Sequence, residues 1–329
     1  MKVTVLGAGA WGTALARLLH QNKHAVTLWG HDARHLDDLR RIGRNDRHLP
    51  GIELPRDWTL EPDLAKAVTD KDVVVVVVPS KGLRAVASAL GNFRGILVSA
   101  TKGIENETGL TMGGVLEASA PGAAVAALSG PSLALEVARS IPTAVVAASR
   151  DEAVARTVQQ IFHHPTFRVY RSTDLLGVEL GGALKNVVAI AAGVGDGLGF
   201  GDNAKAALLT RGIVEIRRLG LANGAQAETF GGLSGLGDLT VTCFSRLSRN
   251  RALGERLGRG ESIEHILASA VAVAEGYPTA RSAHHLAKKL GISTPIIDEV
   301  HAVLYEGKNA ARAVRDLTQR ESKAENMGG

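Results

Sequence analysis

A chain of 329 residues is longer than one hydrophobic core usually serves, so two domains are expected. Hydrophobic residues make up 45% and charged residues 22%, the balance of an ordinary globular protein, which sets aside disordered and membrane-spanning classes. The net charge of +5 suits an anionic ligand, but the basic residues are interleaved with acids and only 4% are aromatic, which argues against a nucleic-acid partner.

The first stretch, from Lys2 to Leu19, reads as a buried strand, a glycine turn and a helix. Its spacing, Gly7-x-Gly9-x-x-Gly12, looks like a dinucleotide cradle. Gly7 is expected to make the tight turn, Gly9 to let the backbone approach a pyrophosphate, and Gly12 to let the helix pack on the strand. A second strand, Ala25–Trp29, follows at βαβ spacing. Strand sequence starts at Lys2 without a signal-peptide pattern before it, and the expected location is the cytoplasm. After Trp29 come Gly30, His31, Asp32 and Arg34, where an adenosine ribose should lie. No acid ends the strand and His31 and Arg34 lie just beyond it, which favours NADP, while Asp32 leaves NAD open.

Residues 42–62 carry three prolines and read as a long excursion before a short helix near Pro62–Val68. The β-branched run Asp72–Val78 predicts a central strand buried on both faces. Alternation then continues to Phe167–Tyr170 and predicts a doubly wound α/β, Rossmann-type domain over residues 1–172. From there to Leu317 the pattern is helical, broken by glycine-rich turns at Gly193–Gly201 and Gly231–Gly237, so an all-helical domain is expected over 173–317. Leu175–Gly193 is long and apolar, but Glu179 and Lys185 lie inside it, which favours a core helix and no stable membrane insertion. The polar tail, 318–329, is expected to be disordered.

Three post-strand segments could face a substrate: Pro79-Ser80, Thr101-Lys102-Gly103 and Gly130-Pro131-Ser132. Taken singly, Lys102 reads as a surface charge and Ser132 as a helix cap. In the helical part, Lys185-Asn186 sits among small and apolar residues. Such burial lowers a lysine's pKa toward the range useful for proton transfer, or the side chain snorkels or pairs with Glu179. Farther on, Asp238 and nearby hydroxyls follow a glycine turn, and Ser248-Arg249-Asn250 opens a helix, a ready phosphate site or an ordinary capped helix. The lone cysteine, Cys243, reads as a small buried side chain and excludes an intramolecular disulfide.

Together the segments VLGAGAWGTALA, VTLWGHD, VVVVPS, ATKGIE, LSGPSLALEV, GVELGGALKNVVAIAAG, GLSGLGDLTVTC, SRNRALGERLG, AEGYPTA and TPIIDEVHAVLYEGKNA resemble, over essentially the whole chain, the bacterial-type NAD(P)-dependent sn-glycerol-3-phosphate dehydrogenase family. The resemblance implies an oxidoreductase that interconverts sn-glycerol 3-phosphate and dihydroxyacetone phosphate without a metal, supplying a phospholipid precursor. It implies Lys185 as proton acceptor, with Lys102, Gly130, Ser132, Asp238, Ser248, Arg249 and Asn250 at the substrate. Asn186 is expected to help orient the carbonyl. On the cofactor side it implies Trp11, His31, Lys102, Ala134, Arg249, Val273 and Glu275. A homo-oligomer, a dimer, is expected. The rival readings are another two-domain dehydrogenase acting on a hydroxy acid or nucleotide sugar, and a nucleotide-binding regulator without turnover.

Overall fold

Successive residues of one strand feed two different cores. In β4 (Val73–Val76), Val73 and Val75 pack on one face of a sheet while Val74 and Val76 pack on the other. A strand buried on both faces needs this unbroken apolar run, because period-2 geometry sends half its side chains each way. The computed structural model describes residues 1–269 and 274–321.

The first compact unit comprises residues 1–102 and 110–178. Its remaining strands are β1 (Lys2–Leu6), β2 (Ala25–Trp29), β3 (Thr59–Glu61), β5 (Ile96–Ser99), β6 (Ala124–Ser129), β7 (Thr143–Ala148) and β8 (Phe167–Ser172). They form an eight-stranded sheet in the order β3-β2-β1-β4-β5-β6-β7-β8, parallel except where β7 runs antiparallel to β6. The helices are α1 (Ala10–Gln21), α2 (Ala33–Ile42), α3 (Leu64–Val68), α4 (Ser80–Ala89), α5 (Met112–Ser119), α6 (Ala134–Ala138) and α7 (Glu152–Phe162). α1, α2, α6 and α7 cover one face, whereas α3, α4 and α5 cover the other. β1 lies between β2 and β4, so the winding reverses beside the glycine turn, where doubly wound sheets open a crevice at their carboxyl ends. The doubly wound expectation holds, with β3 added and with β7 and β8 running opposite to the rest of the sheet.

The second unit comprises residues 103–109 and 179–329. Its helices are α8 (Leu175–Gly197, begun in the first unit), α9 (Asp202–Ala222), α10 (Ala227–Gly231), α11 (Asp238–Phe244), α12 (Arg249–Gly258), α13 (Ile263–Ser269), α14 (Gly276–Leu290), α15 (Pro295–Tyr305) and α16 (Ala310–Thr318). The expected boundary at 172/173 shifts to 178/179, because Leu175 and Val178, although helical, pack in the sheet's core. Gly103–Gly109 joins the helical unit: Ser282 Oγ donates to Ile104 O at 2.9 Å.

The two expected breaks are present but shorter than expected, at 198–201 and at Gly232. α8 runs through Gly193 to Gly197, and Gly231–Gly237 ends in a single π-helical turn, Leu233–Gly237, that leads straight into α11. Gly193 and Gly197 are small for contact, since a Cβ on either would strike the α12 backbone. Among the described residues, α8 is long and apolar enough to cross a membrane, yet most of it is buried inside the protein. Of the expected disordered tail, Thr318 closes α16, and 322–329 lie outside the described residues.

Candidate active site

The glycine turn has the geometry its spacing predicts. Gly7 has φ +130°, a conformation that costs glycine little, and a Cβ there would strike the Val77 carbonyl. A Cβ on Gly12 would run into Gly7 O, so α1 rests directly on the turn. Around the place where a Cβ on Gly9 would stand, nothing lies within 4 Å. Gly9 caps α1 without a side-chain hydrogen bond, leaving the helix's first N–H groups to an anionic ligand. These features fit a dinucleotide pyrophosphate. From below, Asn45 Nδ2 holds the turn by donating to Ala8 O at 3.0 Å and to Thr13 Oγ1 at 2.7 Å.

Beside it, Trp11 is half-buried on α1. Past β2, Asp32 is the N-cap of α2 and accepts from His35 N at 3.2 Å, which holds its carboxyl below the usual range. His31 and Arg34 are exposed on either side of it. Deeper along the sheet, Gly130 (φ +136°) presents its carbonyl to Lys102 Nζ at 3.2 Å and to Ser132 Oγ at 2.9 Å. Ser132 is therefore not the cap of α6; Leu133 holds that position, and Ala134 begins the helix. Half-buried Lys102 is not a plain surface charge either.

In the helical unit the apolar stretch of α8 carries two adjacent polar residues. Lys185 is 6% exposed, and its Nζ donates to Asp238 Oδ1 and to Thr242 Oγ1, each at 2.6 Å. Asp238 and Thr242 lie one turn apart on α11, and Thr242 Oγ1 donates to Asp238 O at 2.7 Å, which fixes the hydroxyl's lone pair toward the ammonium. An isolated buried ammonium is costly, so this carboxylate and hydroxyl are what let the helix carry it. α11 reaches Lys185 because Gly181, one turn earlier on α8, leaves room for the backbone at Ser234 and Gly235.

Asn186 makes the second contact. Its Oδ1 accepts from Asn250 Nδ2 at 2.8 Å, and Asn250 Oδ1 accepts from Gly276 N at 2.8 Å. Ser248 caps α12, accepting from Arg251 N at 3.2 Å, and Arg249 stands exposed at the first turn. Glu275 is the N-cap of α14, next to Gly276. Val273 lies outside the described residues.

Lys185, Asn186, Asp238, Ser248, Arg249, Asn250 and Glu275 are thus gathered within the second unit, while Gly7, Gly9, Trp11, Gly12, His31, Arg34, Lys102, Gly130, Ser132 and Ala134 belong to the first. Thr242 was among the hydroxyls read beside Asp238, but its contact with Lys185 was not foreseen, and Asn45, a polar residue in an aperiodic segment, escaped the sequence reading altogether. Cys243 is buried, as expected, and burial pushes its thiol up to about 12, which removes it as a nucleophile.

A dinucleotide cradle in one unit and a buried lysine with a carboxylate partner in the other fit a nicotinamide-dependent oxidoreductase. Known proteins narrow the class. Residues 2–155 match the model of the NAD-dependent glycerol-3-phosphate dehydrogenase N-terminus, and residues 174–315 match that of the C-terminus. The chain is 51% identical to glycerol-3-phosphate dehydrogenase (NAD(P)+) of Syntrophotalea carbinolica, with 99% of each chain covered. It is 48% identical to the protein of that name from Citrifermentans bemidjiense, again over 99% of both. Among solved structures, glycerol-3-phosphate dehydrogenase from Coxiella burnetii superposes with a TM-score of 0.93 at 36% identity, covering 97% of this chain and 99% of that one. The chain belongs to the NAD-dependent glycerol-3-phosphate dehydrogenase family.

Proposed function

We propose that this protein interconverts sn-glycerol 3-phosphate and dihydroxyacetone phosphate with NAD(P), and that Lys185 moves the proton. The observation that carries the reading is the buried group of Lys185, Asp238 and Thr242, in which a carboxylate and a hydroxyl hold Nζ at 2.6 Å each. Nicotinamide, when bound, supplies or accepts the hydride. Reducing a ketone leaves negative charge on its oxygen, and Lys185 Nζ gives a proton to that atom; in the other direction it takes the proton from the alcohol. Asp238 and Thr242 hold Nζ, and Asn186 orients the substrate oxygen.

The start of α12 supports a phosphate site: Arg249 brings a planar guanidinium, and the helix adds N–H groups with a partial positive charge. Ser248, Asn250 and Asp238 are the further substrate contacts proposed within the second unit; within the first, Lys102, Gly130 and Ser132 are proposed. The proposed cofactor contacts are Gly7, Gly9, Trp11, Gly12, His31, Arg34, Lys102, Ala134, Arg249, Val273 and Glu275. NADP is favoured, since Asp32 serves α2 as its cap while His31 and Arg34 are exposed beyond β2. A cytoplasmic homodimer with no nucleic-acid partner, supplying a phospholipid precursor, completes the reading.

The test is a substrate panel: purified protein and NADPH with dihydroxyacetone phosphate, a 2-oxo acid or an oxidised nucleotide sugar. Rapid loss of NADPH absorbance with dihydroxyacetone phosphate alone is expected. Preference for another substrate would point to a different dehydrogenase, and no turnover with any of them to a regulator.

A further inference from the structure

α8 and α12 meet along a seam almost without side chains. Asn186 bonds Asn250, a Cβ on Gly254 would strike Ile190 O, and a Cβ on Gly258 would strike Val194 O. Each pair is separated by the same 64 positions, so the two helices run side by side in parallel, in step turn by turn. Helix pairs are ordinarily locked by ridges of side chains seated in grooves. Here glycines replace the ridges and bring the backbones into contact, which blocks a slide by a whole residue but leaves few side chains to fix the last ångström of placement. Polar pins supply that finer register.

One pin is the Asn186 and Asn250 bond. The other is Asp196, near the end of α8 and only 13% exposed at its side chain. Its Oδ2 accepts from Arg251 Nε of α12 at 2.6 Å, and its Oδ1 pairs with Lys205 Nζ of α9 at 2.7 Å. Arg251 has a second partner, Glu255 Oε2 at 3.7 Å, but that lies on its own helix and cannot fix α12 against α8. Lys205 also stands over the Phe244 ring, 5.2 Å from its centroid. We infer that Asp196 is a positioning residue: through Arg251 it sets the register of α12, and with it the placement of Arg249 and Asn250 at the substrate phosphate. The inference rests on the proposed phosphate role of the α12 N-terminus. Setting register is the best-attested use of a buried ion pair, whose net contribution to stability is often small. It is sensitive as well, since a misplacement of about 1 Å can cost ~10²-fold in rate.

The carboxylate's two arms provide the control. Arg251→Met removes the arm that reaches α12, and Lys205→Met removes the arm that does not. Both leave Asp196 with a single cation, so a purely structural role predicts similar kinetics for the two. Register control instead predicts a KM for dihydroxyacetone phosphate raised about tenfold or more in Arg251→Met, with kcat changed less than about threefold. For Lys205→Met both constants are expected to stay within about twofold of wild type, whatever the loss in melting temperature. Dihydroxyacetone, which lacks the phosphate, should discriminate little between the variants. Equal KM values for the two variants would overturn the inference. Arg249→Lys, measured in parallel, separates the levels: if it raises KM while Arg251→Met and Lys205→Met coincide, the phosphate site stands and the role of Asp196 falls. If Arg249→Lys leaves KM unchanged, the phosphate site falls and takes the inference with it. Should Arg251→Met not fold, Arg251→Ala, which also removes the donor to Asp196 and suits a helix, carries the same comparison with the same opposing outcomes.

Discussion

At the scale of single residues the chemistry depends on what surrounds a charge. Lys185 is buried in a helix whose neighbours Leu184, Val187 and Val188 are wholly apolar, and the α11 pair of Asp238 and Thr242 gives its ammonium partners of the right kind. Arg249, by contrast, is exposed and stands at a helix N-terminus, where its two-pronged guanidinium suits a phosphate better than a single ammonium would. Arg249→Lys keeps the charge and loses the fork. KM for dihydroxyacetone phosphate is expected to rise about tenfold or more, with a smaller change for dihydroxyacetone, read from initial rates. Similar losses for both substrates would remove Arg249 from the phosphate. His31 and Arg34 raise the matching question for the cofactor. Replacing both with neutral residues should weaken NADPH more than NADH in a binding titration, and an equal loss would mean that neither reads the 2′-phosphate.

Among the elements, α15 shows how a distant helix can supply a cap. Its N-cap residue, Thr294, makes no side-chain capping bond, and Glu215 of α9 reaches the helix start instead. Its carboxyl accepts from Ile296 N at 2.9 Å and from Ile297 N at 3.3 Å. Burial pushes the Glu215 pKa from 4.5 up to about 7, outweighing the opposing effect of the two N–H groups. Between these values the native chain holds a proton that the unfolded chain has released. The group's contribution to stability is therefore full below pH 4.5 and is lost as pH rises through about 7. Glu215→Gln cannot titrate. Melting curves should show the advantage of wild type over this variant shrinking as pH is raised from about 5 to about 7.5, by on the order of 3 kcal/mol. A difference that does not vary with pH would contradict the assignment.

Elements differ in how far the sequence discloses them. The β4 run and the Gly7, Gly9 and Gly12 spacing are local patterns, and β4 and the glycine turn follow them closely. β3 escaped because three residues, Thr59–Glu61, are too few for a period to show. β7 has the composition of any buried strand, and its direction is set by pairing with β6, which no local pattern records. Gly193 read as a break because glycine usually punctuates helices; here its role is set by α12, far along the chain.

For the whole molecule, residues that act together are scattered in sequence and joined only by folding. Lys185 could be singled out as an unusual lysine, but its partners Asp238 and Thr242 lie 53 and 57 positions away, and Asn45 is 37 positions from the turn it supports. The two-part architecture was legible because the period changes from βα alternation to uninterrupted helix. Its boundary was less so, since the opening turn of α8 belongs to the sheet's core. The most direct test of the proposed reaction is turnover by Lys185→Met at saturating NADPH and dihydroxyacetone phosphate. Methionine keeps an apolar stem of similar length and removes the proton, so the fold and NADPH binding should survive while kcat falls at least ~10²-fold, as expected for loss of a placed proton donor. A folded variant that binds NADPH and turns over at close to the wild-type rate would show that Lys185 is only a buried, ion-paired lysine.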